Sequence, residues 1–255
     1  MEDLRHLARA IGKDHDACGL GIVAKLKADP DHEVVRRAVR GLTKLSHRGA
    51  IDADGISGDG AGILIEIPHE FFQQFFPLPN RGQYAVGTLF TPQQPYVRNV
   101  VLEAVEAAAI KFGYKLWLRQ VPVGSHVLGP TARSTEPTIY QVMFLCNGSG
   151  KLGDRALHEL RLRLQRVLLD VSPEAFLSGI STSTLTYKAM VQPRHLAAYF
   201  PDLVDEKLKS RFAQVHTRFS TNTLPRWSLI QPFDRISHNG EFNTISRFRI
   251  ESEML

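Results

Sequence analysis

Three short segments of the chain carry side chains able to do chemistry. Cys18 opens the run CGLGIVAKL. A cysteine there is a nucleophile if a base lies beside it and a small buried hydrophobe if none does. The segment Val215-His216-Thr217-Arg218-Phe219-Ser220-Thr221 ends an apolar run with an arginine among small hydroxyl residues. Such an arginine can grip a carboxylate by a two-pronged ion pair, or can form an ordinary structural ion pair. In His238-Asn239-Gly240-Glu241 the Asn-Gly pair reads locally as a hairpin turn. Its alternative use is as two donors, the Asn239 side-chain amide and the Gly240 backbone N–H, aimed at a developing oxyanion.

Other motif-like stretches fail on their own terms. Gly19, Gly21 and Ala24 imitate a dinucleotide fingerprint, but that fingerprint needs a strand before its first glycine, and DHDA stands there. Asp52, Asp54 and Gly55 imitate a calcium loop, yet Ile56 occupies the next ligand position and Ser57 the position of the required glycine. GDGAG lacks the Lys-Ser or Lys-Thr of a phosphate loop. These glycines serve either close backbone approach to a ligand or turns of positive φ. The two cysteines, Cys18 and Cys146, form no C-x-x-C pair and no ligand cluster. Neither an iron–sulfur site nor a structural zinc is encoded, and Cys146, closing an apolar strand, reads as a core residue.

The elements that must position these residues follow from periodicity. Residues 18–26 read as a strand with Leu20, Ile22, Ala24 and Leu26 on one face. Val35, Ala38, Val39, Leu42 and Leu45 have helical spacing over 34–46, and a glycine-rich break precedes the strand GILIEIP. A strand at YAVGTLF, a helix over 97–112 and a strand at KLWLRQVP predict a β-α-β unit; 123–138 reads as loop. After the strand IYQVMFLC, a helix over 154–170 has Leu157, Leu160, Leu164, Val167 and Leu168 as its buried stripe and arginines facing water. The strands FLSGIS, TLTYKAM, RFAQVHTRFS and PFDRISH follow, with a short helical segment at PRHLAAYF. Strands outnumber helices without regular alternation, which predicts an α+β fold of helix-covered sheets rather than a doubly wound parallel sheet.

The chain's 255 residues can bury a sizeable core. Its net charge of +5 is not gathered into a basic block, and no basic-aromatic module is visible, so nucleic acid is not an expected partner. No apolar run approaches the roughly 18 residues that span a bilayer, and MEDLRHLARAIGKDHDA has no signal-peptide apolar region. The expectation is a cytoplasmic protein with free thiols and no membrane partner.

In this order, ACGLGIVA, HRGAIDADGISGDGAGIL, VHTRFSTNTLPRW and SHNGEFNTI resemble the class II glutamine amidotransferase domain of glutamate synthases. STSTLTYKAMVQPRHLAAYFPDL is similar to the segment that leads to that family's substrate arginine. The resemblance runs from about Cys18 to Thr244. It implies an N-terminal-nucleophile hydrolase fold, a four-layer αββα sandwich of two mainly antiparallel sheets. It also implies a propeptide, Met1 to Ala17, removed to make Cys18 the first residue of a domain over 18–255, whose α-amino group serves as base.

Residue by residue, the resemblance implies Cys18 as nucleophile, Asn239 and Gly240 as oxyanion donors, and Arg218 on the α-carboxylate of L-glutamine, with Phe219 and Thr221 beside it. Arg48 matches a second arginine near the nucleophile, in a supporting role or in direct substrate contact. No cofactor is implied for these residues. FMN and an iron–sulfur cluster belong to the synthase barrel domain that receives the ammonia. The family's aspartate for the substrate α-amino group falls beyond Leu255, and ISRFRIESEML departs from the family's usual continuation. A fragment of a longer protein, with its sandwich incomplete at the C-terminus, is therefore expected. The alternatives are a catalytically silent, regulatory amidotransferase-like module, or the glutamine domain of another synthase such as an amidophosphoribosyltransferase, which the TLTYKAM-to-PDL segment disfavours.

Overall fold

The computed structural model describes residues 19–26, 29–146, 152–218, 225–230, 232 and 233. Among the described residues, eight strands form two four-stranded antiparallel sheets. In the first, β1 (Gly19–Ala24) pairs with β8 (Phe212–Thr217), β8 with β2 (Ala61–Glu66), and β2 with β7 (Thr184–Ala189). The second has the order β4 (Tyr114–Gln120), β5 (Thr138–Cys146), β3 (Tyr84–Thr91), β6 (Phe176–Ser181). Helix α1 (His32–Lys44) packs on the first sheet. The longer pair α3 (Pro95–Lys111) and α5 (Asp154–Val171) packs on the second, and the short α2 (His69–Phe72), α4 (Pro130–Ser134) and α6 (Leu196–Tyr199) lie in connections. The helix-covered α+β architecture expected from the sequence is the one observed. None of the described helices is long and apolar enough to cross a membrane.

Alternation divides the core. Tyr84, Val86 and Phe90 of β3 join one cluster with Ile63 and Ile65 of β2, Val215 of β8 and Val35, Ala38 and Leu42 of α1. The intervening Ala85 and Leu89 join a second cluster with Val101 and Val105 of α3 and Leu157, Leu160, Leu164 and Leu168 of α5. Each of the valine, leucine, isoleucine and phenylalanine side chains among them contributes about 1.5–3 kcal/mol by leaving water. Val167, expected in the α5 stripe, is only partly buried at its edge.

Three expectations need correction. On β1 the packed face is Gly19, Gly21 and Val23; Ile22, on the alternating apolar face, is 66% exposed, and Leu26 beyond the strand is 90% exposed. The reason is close approach: a Cβ on Gly19 would lie 2.7 Å from Thr217 Cγ2 and 3.2 Å from Leu45 Cβ at the end of α1. Strands β3 and β4, expected as neighbours across a β-α-β unit, are separated by β5, which runs antiparallel to both. The segment 123–138 contains a 3₁₀ turn (Ser125–Val127) and α4 rather than loop alone. The expected strand PFDRISH lies almost entirely outside the described residues.

A buried polar network ties the sheets together. Arg119 of β4 donates from both terminal nitrogens to Asp202, at 2.7 and 2.8 Å, and to Gln141 of β5 at 2.8 Å. Tyr187 of β7 donates to Asp202 at 3.0 Å and accepts from the Gln141 amide at 2.8 Å. Burial first, and then the Asp202 charge, pushes the Tyr187 phenol well above its usual range, so it stays a donor.

Candidate active site

Two of the predicted residues, Arg48 and Arg218, lie near the end of the first sheet at Thr217. Thr217 is paired on one side with Gly19, the residue after Cys18, and on the other with Ala61, the residue after Gly60. Its side chain is fully buried, and its Oγ1 has no hydrogen-bond partner among the described residues. The 3₁₀ turn Ser46–Arg48 brings Gly49 against it, so that a Cβ on Gly49 would lie 3.2 Å from Thr217 Oγ1. Arg48, half-buried, is thereby set beside the strand end that carries Arg218.

Arg218 leaves β8 at φ 71°, and its N–H donates to the Gly60 carbonyl at 2.9 Å. A left-handed conformation is uncommon for a side chain of this size and marks a turn held by its surroundings. The turn delivers the guanidinium to Asp59, with Nε 3.0 Å from Oδ2 and both side chains largely buried. Burial pushes the Asp59 carboxyl above its ordinary range; Arg218 and a bond at Ala50 pull it down, and Asp52 adds repulsion.

The glycine-rich loop that carries Asp59 is fastened along its length. The Asp54 carboxylate accepts from the Ser57 hydroxyl at 2.5 Å, from the N–H groups of Ile56 and Ser57 at 2.8 and 2.7 Å, and from Thr131 N–H of α4 at 3.2 Å. These bonds, the Ser57 hydroxyl foremost, hold its carboxyl far below the usual range. Ser57 Oγ accepts from Ala132 N–H at 3.1 Å, and Gln192 donates to the Ile56 carbonyl at 2.8 Å. Gly58 is pressed so tightly on the chain after β7 that a Cβ would lie 2.6 Å from the Gln192 nitrogen. Gly58→Ala should therefore cost roughly 1–3 kcal/mol, the usual range for overpacking, visible as a lowered thermal unfolding temperature.

The structure thus places the turn that carries Arg48, and Arg218 at the end of β8, next to Thr217, the residue paired with Gly19. Cys18, Phe219, Thr221, Asn239 and Gly240 lie outside the described residues. Asp59 was missed in the sequence because GDGAG was tested only as a phosphate loop; an acid between two glycines at the entry to a buried strand was the available signal. No cluster of His, Cys, Asp and Glu suited to a metal occurs among the described residues.

The family model for class II glutamine amidotransferases matches residues 18–249, beginning on Cys18. Among known proteins, the chain is 37% identical over 239 residues to ferredoxin-dependent glutamate synthase 2 of Synechocystis sp., covering 91% of this chain and 15% of that protein. It is 35% identical over 242 residues to the glutamate synthase [NADPH] large chain of Azospirillum brasilense, covering 91% and 16%. It is 37% identical over 251 residues to the glutamate synthase [NADH] of Saccharomyces cerevisiae, covering 91% and 12%. The chain therefore spans only a small part of the length of these relatives. A family match over nearly all of the sequence, joined to two helix-covered antiparallel sheets, establishes that the chain belongs to the class II glutamine amidotransferases.

Proposed function

We propose that this chain is the glutamine-hydrolysing domain of a glutamate synthase, working through Cys18 after residues 1–17 have been removed. The observation that carries the reading is the meeting at Thr217 of three parts: the strand that follows Cys18, the Arg48 turn, and Arg218 with its Asp59 partner. A nucleophile and a carboxylate clamp at adjacent strand ends suit a short substrate with an acid at one end and an amide at the other.

The freed α-amino group of Cys18, of a type with pKa about 7.7–8.0, takes the thiol proton directly or through water. The thiolate adds to the side-chain amide carbon of glutamine, forming the C–S bond and moving the carbonyl pair onto oxygen. Asn239 and the Gly240 N–H hold that oxyanion. When it collapses, the C–N bond breaks and the α-ammonium returns its proton to the leaving nitrogen, releasing ammonia. Water then adds to the γ-glutamyl thioester, the thiolate leaves, and glutamate is the product. Arg218 holds the α-carboxylate throughout, Phe219 and Thr221 line the pocket beside it, and Arg48 supports the loop around the nucleophile.

The ammonia passes to a synthase barrel domain, in the same longer chain or a separate subunit, that uses FMN and an iron–sulfur cluster to aminate 2-oxoglutarate reductively. The chain's own residues need no cofactor for their part, and a cytoplasmic location suits it.

Two measurements test this reading. Intact-mass analysis of the protein from its native host should find a chain that begins at Cys18; one that begins at Met1 would remove the base and the reading with it. Asn239→Ala should lower kcat for glutamine hydrolysis by roughly 100- to 1000-fold with little change in glutamine binding. An unchanged kcat would exclude Asn239 as an oxyanion donor, and absence of glutamine hydrolysis by the processed full-length protein would point to a catalytically silent module.

A further inference from the structure

We infer that Asp59 is the positioning residue for Arg218, fixing the plane and direction of the guanidinium that receives the substrate carboxylate; the inference rests on the function proposed above. Three observations carry it. The Arg218 guanidinium meets the Asp59 carboxylate directly, with Nε 3.0 Å from Oδ2. Both partners are largely shielded from solvent, so the pair is more than a surface ion pair. The main chain beneath them is fixed as well. Arg218 N–H is bonded to the Gly60 carbonyl, Asp59 N–H donates to the Ala50 carbonyl at 3.2 Å, and Ile51 bridges Gly58.

An arginine side chain has four freely rotating bonds, and a mobile guanidinium binds a carboxylate at an entropic cost. Anchoring one edge removes much of that cost before the substrate arrives, which is preorganisation. Asp59 acts through Arg218, so its influence falls on glutamine binding rather than on bond making. The groups facing it are Arg218, Asp52 and the backbone at Ala50. Burial raises the Asp59 carboxyl, whose ionised form is the counter-charge to Arg218. That charge is lost as pH falls, beginning above the range in which an ordinary aspartate protonates.

The test is glutamine hydrolysis by the full-length protein, comparing wild type with Asp59→Asn and Asp59→Glu across pH. Asp59→Asn, which keeps the shape and removes the charge, should raise KM for glutamine about tenfold while kcat falls less than about threefold. Asp59→Glu should recover part of the loss. The wild-type KM should rise toward acid pH, an acid limb separate from the fall in kcat that protonation of the α-amino base brings to every variant, and Asp59→Asn should abolish this limb in KM. Should Asp59→Asn fail to fold, Asp59→Glu and the wild-type acid limb decide the matter. A KM within twofold of wild type, a lowered KM, or an acid limb that persists in Asp59→Asn would overturn the inference. Wild-type hydrolysis that vanishes in Cys18→Ala shows that the underlying reading holds; without such hydrolysis, reading and inference fall together.

Discussion

Full-length protein carrying Cys18→Ala should lose glutamine hydrolysis by on the order of 10⁴-fold or more, the scale seen when a covalent nucleophile is removed. The same protein should still form glutamate from 2-oxoglutarate when free ammonia is supplied, because that step needs no thiol. Glutamine binding, measured by calorimetry, should stay within a few-fold of wild type, since Arg218 and the pocket are untouched. This combination separates a chemical role from a folding role: a structural cysteine would lower all three together. Hydrolysis within tenfold of wild type would exclude Cys18 as the nucleophile.

The second large effect is on stability. Asp202→Ala leaves the Arg119 guanidinium buried without its carboxylate and deprives Tyr187 of its acceptor. Breaking a buried pair from one side costs about 3–5 kcal/mol. The transition of this domain should fall by roughly 6–20 °C, at about 2–4 °C per kcal/mol for its size. Replacing both partners, Arg119→Met with Asp202→Leu, should recover most of the loss, because no uncompensated charge remains. Limited proteolysis along a thermal ramp would read both. A single substitution as mild as the double one would mean that the network is wet and its members independently solvated.

The parts of the fold that were legible in the sequence are those in which one element's own pattern decides its state. The leucines of α5 repeat at helical spacing, and all four expected ones are buried, with Val167 at the edge of the stripe. Strands β5, β6 and β7 read clearly because apolar and β-branched runs end at turn residues. Helix α4 was illegible for the opposite reason. At five residues it is too short to show a period, and it is held from outside, by Asp54 and Ser57 of a distant loop. The order of the second sheet was equally hidden, because β5 enters between β3 and β4 only after both have been made.

The candidate site divides in the same way. Arg218 was visible as a charge that ends an apolar strand, and the turn preceding β2 as a cluster of glycines. Their meeting was not visible. Asp59 finds Arg218 only because β2 and β8 are antiparallel neighbours, so that the residues before one strand and after the other share an end. Such a pair is a product of topology, and no window along the chain contains both members.

The glycines of β1 also act as a ruler for the chemistry. With Gly19 opposite Thr217 and Gly21 opposite Val215, the two places where no Cβ fits comfortably are both filled by residues that lack one. A slip of one residue would drive Leu20 or Ile22 into those places and turn the strand's other face toward α1. A slip of two would set Val23 against Val215. The strand has one seat, enforced by steric exclusion rather than by oiliness. The residue bonded to its first glycine therefore has its place along the sheet measured out by backbone pairing before any side chain of the site takes part.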